Sequence, residues 1–350
     1  MSGLQVNPNE ALRGARPYSS PKPAHTIDLW LDANEGPTPP FDLLRAAESV
    51  QTVRRYPSTD DVRALLAGRL GVACEQVAVT AGGDDAIDRA CRSVLAPGKE
   101  IILTPPTFEM FHRYAAVTGA SAVEVEWTQE PFPLERVMSA ITDRTAAIAV
   151  VSPNNPTGLV VRADDLRTLA KAAPRALIIA DLAYTEFADV DLQPVALEFP
   201  NVVSIRTLSK AWGAAGLRVG YAVGHPDVVT WIRAAGGPYA VSGPAALVAC
   251  RMLETCAGLM QDYVARVRIE RHELFGLLES LGATPWTSQA NFVTASFKNA
   301  AGVHEQLASR GIAVRYFGPR PLVSDCLRIT CPGSVAGMGR LSRALKEILA

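Results

Sequence analysis

Short runs of Val, Ile and Ala, each followed by a segment with helical spacing of its apolar residues, recur through the first two-thirds of this chain. That alternation limits the fold more than any other feature. Strands are expected at Gln76–Thr80, Glu100–Thr104, Ala122–Glu126, Ala146–Val151, Ala176–Ala180, Val202–Arg206 and Val219–Val223. Helical patterns fall at Phe41–Val50, Asp60–Leu70, Asp84–Leu95, Phe108–Thr118 and Arg162–Ala172. Runs this apolar fit strands buried on both faces of a mostly parallel sheet, and their alternation with helices means an α/β layered core. After about Gly224 the texture changes. Pro244–Leu281 reads as one long helical stretch. Beyond it Ala290–Phe297, Ala301–Ala308, Ala313–Phe317, Cys326–Thr330 and Val335–Leu349 read as a smaller α+β unit. Residues up to about Pro40, rich in Pro, Ser, Asn and Gly, are expected to lie on other structure as an arm. The division expected is an arm over 1–40, a large domain over 41–245 and a small one over 246–350.

A chain of 350 residues, 48% of them hydrophobic, can build both cores. The net charge of -1, with no basic block, argues against a nucleic-acid or membrane-surface partner. Apolar runs such as Ala146–Val151 are too short to span a bilayer, and Met1–Tyr18 lacks the apolar stretch of a secretory signal. A cytoplasmic protein is expected. Six cysteines without a CxxC pair and five histidines without ligand spacing predict reduced packing residues and no metal site.

Ligands of open α/β sheets bind at the carboxyl ends of the strands, and the unusual residues cluster after those ends. Thr80-Ala81-Gly82-Gly83-Asp84-Asp85 closes a strand and opens a helix, which suits either an anion or a plain turn with an Asp cap. The glycine pattern of a dinucleotide site is missing there. Pro105-Pro106-Thr107-Phe108 offers an aromatic ring to a planar ligand or to the core. Ser152-Pro153-Asn154-Asn155-Pro156-Thr157-Gly158 holds two Asn between prolines in a stiff loop. Asp181 ends a buried strand, with Tyr184 three residues on. A carboxylate there is costly unless a cation pairs with it, and otherwise it caps the next helix. Lys210, with Thr207, Ser209 and Arg218 around it, suits a covalently held aldehyde with a phosphate tail, or is a surface lysine.

Asn155-Pro156-Thr157-Gly158, Asp181 with Tyr184, and Ser209-Lys210 with Arg218 together resemble a fold-type I aminotransferase dependent on pyridoxal 5′-phosphate. Arg16-Pro17-Tyr18, Leu31-Asp32-Ala33-Asn34-Glu35, Arg55-Tyr56-Pro57, Gly311-Ile312-Ala313-Val314-Arg315 and Cys326-Leu327-Arg328-Ile329-Thr330 are similar to the histidinol-phosphate aminotransferase family in particular. The likeness runs nearly end to end. It implies a large domain with a mostly parallel seven-stranded sheet between helices, and a smaller α+β domain. It implies that Lys210 holds the cofactor and moves the proton, that Asp181 pairs with its ring nitrogen, and that Tyr184 and Asn155 meet its ring oxygen. Gly83, Asp84, Thr207, Ser209 and Arg218 would hold the phosphate and Phe108 the ring. Tyr56 would reach the cofactor of a partner subunit in a homodimer. Tyr18, Asn34, Asn155, Arg315 and Arg328 would bind an amino donor and a 2-oxo acid.

The chain departs from that pattern at Phe108, where the family often has tyrosine, at Gly82-Gly83, at Trp212-Gly213 and at Cys331-Pro332-Gly333-Ser334. These positions bear on the substrate. The reaction expected is transfer from histidinol phosphate to 2-oxoglutarate by a ping-pong route through pyridoxamine phosphate. Relatives on the same scaffold act on aromatic or other amino acids, or decarboxylate phosphothreonine.

Overall fold

The computed structural model describes residues 24–349 apart from 41, 44 and 46–49. Tyr18, and most of the helix expected over Phe41–Val50, lie outside the described residues. The strands are β1 Leu29–Leu31, β2 Val77–Thr80, β3 Glu100–Leu103, β4 Ser121–Glu124, β5 Thr145–Val151 and β6 Leu177–Asp181. They continue with β7 Val202–Thr207, β8 Gly220–Val223, β9 Thr284–Pro285, β10 Phe292–Ser296, β11 Ile312–Tyr316 and β12 Cys326–Thr330.

Seven of them form one sheet in the order β2-β8-β7-β6-β5-β3-β4. Neighbours pair in parallel except β8, which runs antiparallel to both β2 and β7. The carboxyl ends of six strands and the amino end of β8 therefore share one edge. Successive side chains feed opposite faces of this sheet. Ile101, Leu103, Ala147, Ala149 and Ile179 join one apolar cluster with the helix Gly82–Val94. Ile102, Ile148, Val150, Ile178 and Ala180 join the other, against Trp127 and the helix Ala163–Ala172. Burial on both faces is why these runs lack polar alternation. Each fully buried Leu, Ile or Val among them contributes about 1.5–3 kcal/mol.

The second sheet has the order β1-β11-β12-β10-β9, with β1 parallel to β11 and the other pairs antiparallel. Sequence reading missed β1. Leu29-Trp30-Leu31 is too short for a periodic signal, and its strand character comes from pairing with Ile312–Val314. The single helix expected over Pro244–Leu281 is two helices, Gly243–Thr255 and Ala257–Ser280. Cys256 breaks them at φ -105° and ψ 11°. The Thr255 hydroxyl donates back to Arg251 O at 2.6 Å, a local bond that competes with helix continuation. Among the described residues no helix is long and apolar enough to cross a membrane.

Candidate active site

The shared edge of the large sheet faces the small sheet across a cleft of about 680 Å³. Of the site residues predicted from the sequence that fall among the described residues, all but Tyr56 line it. Tyr56 is 81% exposed and stacks on Tyr239, ring centroids 4.5 Å apart, outside its own chain's cleft.

One end of the cleft is built for an anion. The helix Gly82–Val94 starts directly after β2, so the free N–H groups of its first turn meet the cleft at Gly83 and Asp84. Gly82 sits at φ 86°, and a Cβ there would lie 2.6 Å from Arg218 Nη2. Arg218 is itself left-handed at φ 52° just before β8, which turns its guanidinium back over the glycines. It donates to Asp84 Oδ2 at 3.1 Å and to Ala215 O at 3.1 Å. From the end of β7 the Thr207 hydroxyl donates to Ser209 Oγ at 2.8 Å. Two hydroxyls, a guanidinium and a helix N-terminus thus converge.

The middle of the cleft holds an amine, a carboxylate and a phenol. Lys210 follows β7, and its Nζ donates to Ala33 O at 3.1 Å and lies 5.7 Å from the centre of the Tyr184 ring. No carboxylate pairs with it among the described residues. Asp181, the last residue of β6, is 5% exposed and accepts one bond, from Ala183 N at 3.1 Å. Burial pushes its carboxyl up to about 7, and the nearby Asp84 charge adds to this against the Ala183 bond and Lys210. A buried acid so weakly satisfied calls for a cation on the cleft side.

The far wall comes from the small sheet. Arg315 on β11 and Arg328 on β12 are direct cross-strand partners, so both point to the same face. Arg328 donates to Asn155 Oδ1 at 2.5 Å and to Asp32 O at 2.6 Å, over the ring of Phe292. Asn34 is buried, and its side chain meets Tyr184 and Thr330 within the wall. Sequence reading missed three contacts. Asn154, one residue before the predicted Asn155, takes a bond from the Thr107 hydroxyl and donates to Pro106 O, each at 2.9 Å, tying two strand-end loops together. The carbonyls of Asp32 and Ala33 carry no signal in a sequence. Arg320 meets Glu109 at 2.5 Å across the mouth of the cleft, between loops 211 residues apart.

An unpaired amine beside a buried acid and an anion cradle, at the strand ends of an α/β sheet, defines a site for a phosphorylated aldehyde cofactor. The comparisons agree with that class. The family described as aminotransferase class I and II matches residues 26–345. A histidinol-phosphate aminotransferase of Escherichia fergusonii is 35% identical over 334 residues, covering 92% of each chain. A crystal structure of histidinol-phosphate aminotransferase from Sinorhizobium meliloti with pyridoxal-5′-phosphate superposes with a TM-score of 0.88 at 24% identity, covering 99% of this chain and 98% of that one. N-succinyldiaminopimelate aminotransferase from Mycobacterium tuberculosis superposes at 0.80 with 23% identity, covering 92% and 93%. The chain belongs to the class I and II aminotransferases, and its sequence relatives put it in the histidinol-phosphate aminotransferase family.

Its cofactor is pyridoxal 5′-phosphate, and the residues present fit it: Lys210 for the aldehyde, Asp181 for a ring cation, the Gly82–Arg218 cradle for the phosphate. Gly82→Ala is expected to test the cradle. Its φ costs a non-glycine residue about 1–3 kcal/mol, and the added methyl displaces Arg218. Titration of the cofactor-free variant with pyridoxal phosphate should show affinity reduced by roughly fivefold or more. An unchanged Kd would mean the turn does not hold the phosphate.

Proposed function

We propose that this enzyme is a histidinol-phosphate:2-oxoglutarate aminotransferase. The observation that carries the reading is the Arg315–Arg328 pair. Like charges directly opposite on neighbouring strands repel, and that cost is offset where anionic groups meet them. A phosphate ester on the amine and the carboxylates of 2-oxoglutarate are such groups. The name shared with relatives at 34–35% identity supports the choice of amine.

When bound, the cofactor supplies an aldehyde that exchanges between amines and a ring that draws electrons from the amine carbon. Lys210 Nζ holds it and, once released by exchange, takes a proton from the substrate carbon and returns it nearby. Asp181 would pair with the cofactor's ring nitrogen and keep it charged. Tyr184 and Asn155 offer hydrogen bonds to the ring oxygen, and Phe108 an apolar wall. Gly83, Asp84, Thr207, Ser209 and Arg218 anchor the phosphate. Arg328 takes a carboxylate, and Arg315, with Tyr18, the distal phosphate. With this goes a homodimer in which the exposed Tyr56 crosses to the partner's site, a cytoplasmic location, and the division into arm, large and small domains at 40 and 245.

The test is a single-turnover spectral assay with no oxo acid, using histidinol phosphate, phosphothreonine, phenylalanine, tyrosine and glutamate. Rapid loss of the lysine-linked cofactor band with histidinol phosphate supports the reading. Response only to phenylalanine or tyrosine makes it an aromatic aminotransferase, and carbon dioxide from phosphothreonine makes it a lyase. Arg315→Gln is expected to raise KM for histidinol phosphate by roughly 10- to 150-fold, the worth of a hydrogen bond to a charged group. Steady-state kinetics with an unaltered KM would remove Arg315 from the phosphate site.

A further inference from the structure

Asn34 is 1% exposed and held at φ 54°, and its hydrogen bonds fix which way its amide faces. Its backbone N–H donates to Thr330 Oγ1 at 3.2 Å, so that hydroxyl spends its own proton elsewhere. The acceptor is the Asn34 side chain, 2.9 Å away, which must therefore turn Oδ1 toward Thr330. Nδ2 is left facing Tyr184 Oη at 3.0 Å, and it can only donate. Asn291 Nδ2, donating to Asn34 O at 3.3 Å, secures the same residue from its other side. We infer that Asn34 is a positioning residue that makes the Tyr184 oxygen an acceptor and so directs the Tyr184 O–H proton into the cleft.

This rests on Tyr184 meeting the cofactor's ring oxygen. A phenol that receives a bond from Asn34 cannot return its proton to the same amide, so the proton goes to an acceptor on the cleft side. Thr330 lies on β12 two residues beyond Arg328. The chain of bonds thus runs from the strand that carries the substrate arginine, through the Asp32–Gly36 segment, to the loop after β6. The same segment lends the Ala33 carbonyl to Lys210 and the Asp32 carbonyl to Arg328.

The experiment is a pH titration of the visible absorption band of the lysine-linked cofactor in the holoenzyme, without substrate. An O–H donated to the ring oxygen favours the deprotonated, more negative form. Tyr184→Phe is therefore expected to raise the midpoint. Asn34→Gly keeps the positive φ and removes only the side chain. It is expected to raise the midpoint in the same direction, by a few tenths of a pH unit to about one. Asn34→Gly in the Tyr184→Phe background should add nothing, because its effect passes through the phenol. Thr330→Val should shift the midpoint as Asn34→Gly does and Thr330→Ser should leave it at the wild-type value; this pair carries the test where Asn34→Gly yields no folded protein. A wild-type midpoint in Asn34→Gly, or a full extra shift in the double variant, overturns the inference while Tyr184 keeps its role. A wild-type midpoint in Tyr184→Phe overturns that role and the inference together.

Discussion

Lys210→Ala is expected to yield a folded protein that no longer forms a borohydride-reducible bond to its cofactor and turns over about 10²–10⁴-fold more slowly from the loss of proton transfer alone. The side chain is half-buried just after β7, and among the described residues its Nζ meets the neutral Ala33 carbonyl and the Tyr184 ring. Its removal breaks no ion pair among the described residues, so the fold is spared and the effect falls on chemistry. Reduction with borohydride followed by mass spectrometry reads the link directly. A variant that still gains the mass of the reduced cofactor would show that another amine holds it. External methylamine, small enough to enter the vacated space, should restore part of the rate if proton transfer is what was lost.

The second large effect is at Asp181. Asp181→Asn is expected to lower turnover by roughly 10²–10³-fold, as for other buried electrostatic contacts to developing charge, and to weaken cofactor binding. Stability should change in the opposite sense when no cofactor is present. The carboxyl rises from 3.8 in the unfolded chain to about 7 in the fold because burial disfavours its charge. The folded protein then holds the extra proton between about pH 4 and 7. That contribution to stability is full below the lower value and is lost as pH rises through the upper one. Above pH 7 the cofactor-free wild type buries a charge that its unfolded chain keeps in water. Cofactor-free Asp181→Asn should therefore melt higher than wild type at pH 8, by an amount on the order of a few kcal/mol. The gap should close toward pH 4. Added pyridoxal phosphate should reverse the order at pH 8, since its ring nitrogen gives the carboxylate a cation. Identical melting curves at pH 8 and pH 5 would mean that Asp181 is solvated.

Much of the cleft lining was legible because it depends on local sequence. Asp181 ends an apolar strand, and Lys210, Asn155 and Gly83 each lie within four residues of the end of another; in a parallel sheet strand ends meet along one edge whatever the loops do. The helix break at Cys256 was not legible, because it rests on a back-bond of Thr255 within a stretch whose composition is helical throughout. Strand β1 was not legible either, since three residues acquire strand geometry only by lying along β11.

The sequence by itself determined the layered α/β core and the order of strand and helix, and it singled out Lys210, Asp181 and the Gly83–Arg218 group as candidates for an amine, a buried acid and an anion cradle. These follow from side-chain periodicity and from the chemistry of single residues beside strand ends. Only the tertiary structure decided how distant segments close the site. It set Arg315 opposite Arg328 in register, carried Arg320 to Glu109 across the cleft mouth, and laid the Asp32–Gly36 segment against Lys210, Tyr184 and Thr330. Those contacts join residues as many as 296 positions apart, several through backbone carbonyls. Such carbonyls are the same in every residue, so no residue type announces them before the chain has folded.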